Sequence, residues 1–127
     1  MELKRVVVTG LGAITPLGNN VQEYWNGLIN GVSGAAPITQ FDASKFKTQF
    51  ACEVKGYNVE DHFDRKEGRK LDLFAQYAMI ATDEAMLDSK IELDKVDLDR
   101  FGVIWGSGVG GLKTFQEECT SFIQGDG

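Results

Sequence analysis

The sequence is poor in the residues on which small secreted scaffolds and metal centres depend. It holds two cysteines, two prolines and one histidine in 127 residues. Two cysteines cannot build a disulfide framework, so the expected compartment is the reducing cytoplasm. One histidine and two widely spaced cysteines cannot assemble a zinc centre. Long apolar runs are also missing. No stretch approaches the ~18 residues of a membrane span. The opening Met-Glu-Leu-Lys-Arg-Val-Val-Val-Thr-Gly lacks the long apolar core of a signal peptide, and its valine run reads as a strand. Positive charge is in deficit: 13 Lys and Arg stand against 19 Asp and Glu, a net charge of −6. A chain with that balance repels phosphate, which excludes a general nucleic-acid binder.

What is present describes a folded domain. Hydrophobic residues make up 43% and charged residues 25%. That composition excludes intrinsic disorder. The length suits one domain, since domains run to roughly 100–200 residues. The chain stops at Gly125-Asp126-Gly127, a turn-like sequence straight after a helical pattern.

The first element expected is a strand, Arg5 to Gly10, whose unalternating valines suggest burial on both faces. A glycine-rich loop follows from Leu11 to Asn20. Asn19 or Asn20 is the candidate N-cap. Val21, Tyr24, Trp25, Leu28 and Ile29 then fall at helical spacing, and Asn30-Gly31 ends the helix as a left-handed C-cap. Residues 31–70 carry weaker signals, with a short strand within Phe50–Val54 and a helical turn at Val59–Phe63. Leu71 to Leu87 reads as a long helix. Its wide apolar face leaves only Asp72, Gln76 and Asp83 as a polar stripe, so the helix is expected to be mostly buried. Asp94 to Arg100 is a charged linker, Phe101 to Trp105 a second buried strand, Gly106 to Gly111 a glycine-rich turn, and Leu112 to Gln124 a last helix. Strands separated by helices point to an α/β sheet.

Two glycine loops follow strands and invite a nucleotide reading. In the first, Gly10-x-Gly12-x-x-Thr15 has threonine where a dinucleotide fingerprint needs Gly or Ala, and Pro16 interrupts the helix start. In the second, Gly106-x-Gly108-x-x-Gly111 matches literally. Its ribose-binding acid would have to be Asp126, and no further strand follows. Tight turns and close backbone packing explain both loops more simply. A third reading makes the second turn the wall of a narrow apolar tunnel, with Val109 and Leu112 facing it. Cys119-Thr120-Ser121 imitates a nucleophile's surroundings. Glu117 and Glu118 precede the thiol, however, whereas a reactive thiolate wants positive surroundings, so Cys119 and Cys52 both read as structural thiols. His62, in Glu60-Asp61-His62-Phe63-Asp64, reads as a surface side chain. Arg65, Lys66, Arg69 and Lys70 crowd one hexapeptide. Four cations before a helix N-terminus oppose its dipole, and Asp72 in the first turn is expected to offset part of that. The cluster is either a solvated loop or a surface for an acidic partner.

Several segments together resemble one family. Lys4 to Gly12 with Thr15-Pro16-Leu17-Gly18 resembles the opening of the bacterial 3-oxoacyl-[acyl-carrier-protein] synthases, the beta-ketoacyl condensing enzymes. Gly31-Val32-Ser33-Gly34, Phe41-Asp42, Arg65 to Asp72, Gln76-Tyr77 and Gly106 to Gly111 recur there in the same order. The resemblance covers the whole chain and is closest to the synthase II branch. It implies a thiolase-like fold, five-layered α/β/α/β/α in the complete enzyme, usually a homodimer. It implies decarboxylative Claisen condensation in fatty-acid elongation, in which an acyl thioester is extended from malonyl-acyl-carrier-protein. It implies no resident cofactor, the substrates being carried on the phosphopantetheine of acyl carrier protein. Lys66, Arg69 and Lys70, with Arg65 beside them, match the family's docking positions for that acidic carrier. Val109 and Leu112, with Gly108, match the acyl pocket. The family often has Ile where Val109 stands. The cysteine nucleophile and two catalytic histidines lie later in the family's sequence, and neither Cys119 nor His62 matches them. No catalytic residue is therefore expected in residues 1–127. The chain is expected to be the first part of the N-terminal domain, ending within a loop. The other readings are a self-contained carrier-binding module and a nucleotide-binding α/β domain.

Overall fold

The computed structural model describes residues 3–125. The reading of Gly125-Asp126-Gly127 as a loop end, and of Asp126 as a ribose ligand, involves residues 126 and 127, which lie outside the described ones. Helix α1 spans Val21–Ile29. Its cap is Asn20, whose Oδ1 accepts the Glu23 amide at 2.8 Å. Asn19 is used otherwise, donating from Nδ2 to the Lys55 carbonyl at 3.0 Å. Gly31, at φ +63°, closes the helix. Two short strands follow, β1 at Ala36–Pro37 and β2 at Phe50–Ala51, antiparallel with Ala36 opposite Ala51. A 3-10 turn at Val59–Asp61 occupies the expected helical turn.

Helix α2, Arg65–Gly68, is short and holds two of the four cations of the basic hexapeptide. Asp64 caps it, accepting the Lys66 and Glu67 amides at 2.8 Å each. Helix α3 runs over Leu73–Ser89 and ends at Lys90, whose φ of 53° is left-handed. Two 3-10 turns, Leu93–Lys95 and Leu98–Arg100, fill the charged linker. Helix α4 spans Leu112–Gln124 between left-handed Gly111 and Gly125. The sequence-derived bounds of α1 and α4 agree with the structure, and those of α3 differ by two residues at each end.

Helix α3 is the centre of packing. Its small buried side chains, Ala78 and Ala81, let another backbone come close. The loop after the first predicted strand uses that space. A Cβ added to Gly12 would stand 1.8 Å from the Ala81 carbonyl oxygen, and one on Gly10 2.1 Å from that of Ala85. Only glycine permits this approach, so the packing explanation of the first glycine loop holds.

Three expectations are corrected. Arg5–Gly10 and Phe101–Trp105 form no ladder among the described residues, and they are not buried on both faces. Val6 is 89% exposed and Ile104 fully exposed. A strand buried twice over needs neighbours on both edges and layers on both faces. These segments have cover only on the α3 side, where Thr9, Phe101 and Val103 line a shared hollow with Ala81 and Ala85. Second, α3 is less buried than its composition suggests, with Leu73 at 40% exposure and Leu87 at 79%. Third, Gln76 belongs to the interior and not to a polar stripe. It is 5% exposed, and both ends of its amide are bonded.

Candidate functional site

The site begins with the link between α2 and α3. Gln76 donates from Nε2 to the Gly68 carbonyl at 2.9 Å and to that of Leu71 at 2.8 Å. Its Oε1 accepts the Tyr57 hydroxyl at 2.6 Å. One buried amide thus fixes the end of the basic helix against α3. Tyr57 also stacks on His62, with centroids 5.8 Å apart, and meets the Tyr77 ring edge-on at 5.1 Å. Burial raises the phenol pKa of both tyrosines above the ordinary value, and for Tyr57 the neighbouring Tyr77 adds to it. His62 is exposed at this edge, as expected of a surface side chain.

Arg65, Lys66, Arg69 and Lys70 are all exposed. None takes part in the salt bridges found among the described residues, which join Lys95 to Glu92 and Lys113 to Glu117. Two acidic neighbours are engaged elsewhere. The Asp64 carboxylate caps α2, and Asp61 accepts from Asn58 at 3.0 Å. The four cations are free to face a partner.

Arg69 also lines a groove of about 450 Å³ together with Val109 and Leu112. Leu73 and Phe74 of α3 form its opposite side. The structure therefore brings one of the predicted basic residues and two of the predicted pocket residues to a single groove. Gly108 is not among the lining residues, and a Cβ there would meet nothing within 4 Å. The expected narrow tunnel is an open groove, since Val109 is 68% and Leu112 60% exposed. Beyond Leu112 it adjoins a larger hollow of about 840 Å³ floored by Phe41, Val54, Leu73 and Tyr77. Cys52 lines that hollow and is exposed. Cys119 is half-buried on α4.

Asp72 departs from its expected role. It stands before α3 with extended backbone and makes no side-chain cap bond, so it does not serve as a first-turn acid. Its Oδ1 accepts the Thr114 hydroxyl of α4. The other oxygen, Oδ2, would lie 3.0 Å from a Cβ on Gly111. A carboxylate thus faces the N-terminus of α4, where a dinucleotide fold would seat a pyrophosphate. That placement opposes the nucleotide reading of Gly106–Gly111.

The acids that hold the first glycine loop escaped the sequence reading. Glu84 on α3 accepts the Ala13 amide through Oε2 at 2.8 Å and the Val21 amide through Oε1 at 2.9 Å. Asp88, one turn later, accepts the Leu11 amide at 2.9 Å. The signal was available, for two acids four positions apart share a helix face.

Residues 3–125 match the family described as beta-ketoacyl synthase, N-terminal domain. Over 123 residues the chain is 46% identical to a protein of Synechocystis sp. named 3-oxoacyl-[acyl-carrier-protein] synthase 2, covering 97% of this chain and 30% of that one. It is 44% identical over 113 residues to the protein of the same name from Staphylococcus aureus strain COL, covering 89% of this chain and 27% of that one. A solved structure of the ishigamide ketosynthase/chain length factor superposes with a TM-score of 0.59 at 35% identity, covering 71% of this chain and 22% of its own. The chain spans under a third of the length of these relatives.

Proposed function

Since the chain belongs to the beta-ketoacyl synthase family through its N-terminal domain, we propose that it works as part of a 3-oxoacyl-[acyl-carrier-protein] synthase of fatty-acid elongation. The reaction is the decarboxylative condensation of an acyl thioester with malonyl-acyl-carrier-protein. The chain supplies the carrier-docking surface, part of the acyl-groove wall and scaffold. We assign it no catalytic residue.

The observation that carries this reading is the position of Arg69. It belongs to the basic run and lines the groove holding Val109 and Leu112. A carrier protein delivers an acyl chain on a flexible arm, so its docking surface and acyl site must adjoin. Lys66, Arg69, Lys70 and Arg65 receive the acidic carrier, and Val109 and Leu112 contact the chain it delivers. Gly108 belongs to the same turn. Charges at such a rim govern encounter rate and salt dependence more than intrinsic affinity. Apolar side chains tolerate a range of chain lengths, because one methylene changes binding by only ~1–3 kcal/mol. The unpaired cysteines Cys52 and Cys119 suit a reducing cytoplasm. The exposed valines and isoleucine of Arg5–Gly10 and Phe101–Trp105 suit burial in a homodimeric enzyme.

Carrier binding tests the proposal. The chain is titrated with acyl carrier protein at low and high salt, alongside the double variant Lys66→Glu with Arg69→Glu. Wild-type affinity should fall with salt, and the variant should bind at least tenfold more weakly at low salt. Unchanged affinity in the variant would refute the docking assignment. Condensing activity from the purified chain alone would refute the assignment of the catalytic groups to residues it does not contain.

A further inference from the structure

Asp72 precedes α3 by one residue and follows the basic run by one, Leu71 lying between. Aspartate is among the best N-cap residues, because its carboxylate normally accepts amides of its own helix. Asp72 makes no such bond. It accepts instead the hydroxyl of Thr114, 42 positions away on the first turn of α4. The turn leading into α4 is seated against the same stretch. Gly111, at φ +68°, has Asp72 Oδ2 where its Cβ would be, 3.0 Å off. A Cβ on Gly110 would lie 2.8 Å from Cε1 of Phe74. Consecutive glycines of one turn thus rest on two side chains at the start of α3. Val109 and Leu112 flank those glycines and face Leu73 and Phe74 across the groove.

We infer that Asp72 and Thr114 form a latch that positions Val109 and Leu112, and so sets the width of the acyl groove. Both act as positioning residues. The inference rests on the acyl-groove reading above. With the bond made, the Gly110–Gly111 turn is held on α3 and the groove keeps one width. With it broken, no hydrogen bond or salt bridge among the described residues ties the start of α4 to α3, and the turn can swing outward. Thr114 is therefore the residue through which chain-length preference is tuned without any change in the apolar lining.

Two variants of the chain test this. Thr114→Val removes the hydroxyl and keeps the side-chain shape, and Thr114→Ser keeps the hydroxyl. The first readout is hydrogen exchange at the Phe115 amide, which donates to the Gly111 carbonyl at 2.9 Å and so reports whether the turn is seated. Exchange should quicken about tenfold in Thr114→Val and stay near wild type in Thr114→Ser. The second readout is displacement of a fluorescent fatty acid by saturated fatty acids of graded length. The wild type and Thr114→Ser should discriminate sharply between lengths. Thr114→Val should flatten the ladder several-fold while binding acyl carrier protein as the wild type does. Unchanged exchange in Thr114→Val would overturn the latch. Quickened exchange with an unchanged ladder would overturn its control of groove width. If the wild type bound no fatty acid, the acyl reading itself would fall, and the exchange rates would still uphold or overturn the latch.

Discussion

The Tyr57 hydroxyl donates to Oε1 of Gln76 across 2.6 Å, and Gln76 is buried at 5% exposure. The pair ties the segment before the basic helix to α3, because the same glutamine amide holds the Gly68 and Leu71 carbonyls. Tyr57→Phe removes the donor and leaves a buried acceptor without a partner. Such a loss costs about 1–3 kcal/mol. Urea unfolding should show that loss as a lower midpoint with an unchanged slope. Gln76→Leu should cost at least as much, since it strips partners from two carbonyls and from the Tyr57 hydroxyl.

Alkaline titration checks the same cluster independently. Burial raises the pKa of Tyr57 and Tyr77 above that of a free phenol. A raised folded pKa means that the neutral form favours the fold. The contribution is complete below the unfolded phenol pKa and is lost as pH rises through the folded one. Ultraviolet titration of the native chain should therefore show a phase later than that of a free phenol, and Tyr57→Phe and Tyr77→Phe should each remove part of it. A late phase unchanged in both variants would remove the burial argument.

Glu84 accepts two amides around the first glycine loop, that of Ala13 within it at 2.8 Å and that of Val21 just after it at 2.9 Å. Hydrogen bonds to a charged acceptor exceed neutral ones. Partial exposure reduces their worth, so Glu84→Ala should destabilise by about 2 kcal/mol. Glu84→Gln retains one oxygen and should lose about half as much. Amide exchange localises the effect. Ala13 and Val21 should exchange faster in both variants, and the Lys66 amide, capped by Asp64, should not change.

Glycine substitutions separate close packing from open turns. At Gly12 a Cβ would stand 1.8 Å from the Ala81 carbonyl oxygen, a backbone atom that cannot rotate away. Gly12→Ala should cost about 3 kcal/mol or more. At Gly108 a Cβ meets nothing within 4 Å, and the residue is not among those with positive φ. Gly108→Ala should be neutral or stabilise by about 0.4–1 kcal/mol through the unfolded chain. Thermal melting of the two variants decides between them, and equal shifts would show that the loop and α3 do not approach so closely.

The helices were legible because their signals are local. Asn20, Gly31, Gly111 and the spacing of Val21, Tyr24, Trp25 and Leu28 act within one or two turns of the backbone. The two valine- and tryptophan-bearing segments misled, since composition records that a residue can be buried and not what will bury it. Gln76 and Asp72 misled for a related reason. A polar residue on a helix reads as solvent-facing until a partner is known. The partners, Tyr57 and Thr114, lie 19 and 42 positions away. The candidate site was half legible: the basic run and the glycine-rich turn were visible separately. Their meeting at Arg69 depends on how α2, α3 and α4 pack, which no local pattern encodes.

Glu53 offers an acid-side prediction at the rim of the larger hollow. Its Oε2 accepts the Thr39 hydroxyl at 2.6 Å, and both of its oxygens lie within reach of the Thr39 amide, at 3.1 and 3.2 Å. The side-chain and backbone bonds from Thr39 hold the carboxyl below the ordinary glutamate range, and Lys55 adds a little. Burial opposes them weakly. The lowered pKa sets the sign. The bonds contribute fully above the unfolded glutamate pKa and are lost as pH falls through the folded one. Because Thr39 follows β1 and Glu53 follows β2, protonation should loosen that hairpin first. In a proton-resonance titration, the Thr39 amide should move with a midpoint below that of a free glutamate, and Glu53→Gln should abolish the transition. A midpoint at or above the ordinary value would mean that the carboxylate is not held by Thr39. In that case the hairpin rests on its short ladder, the Ala36–Ala51 and Pro37–Phe50 pairs, and on the Ile38 amide, which donates to the Gln49 carbonyl at 3.0 Å.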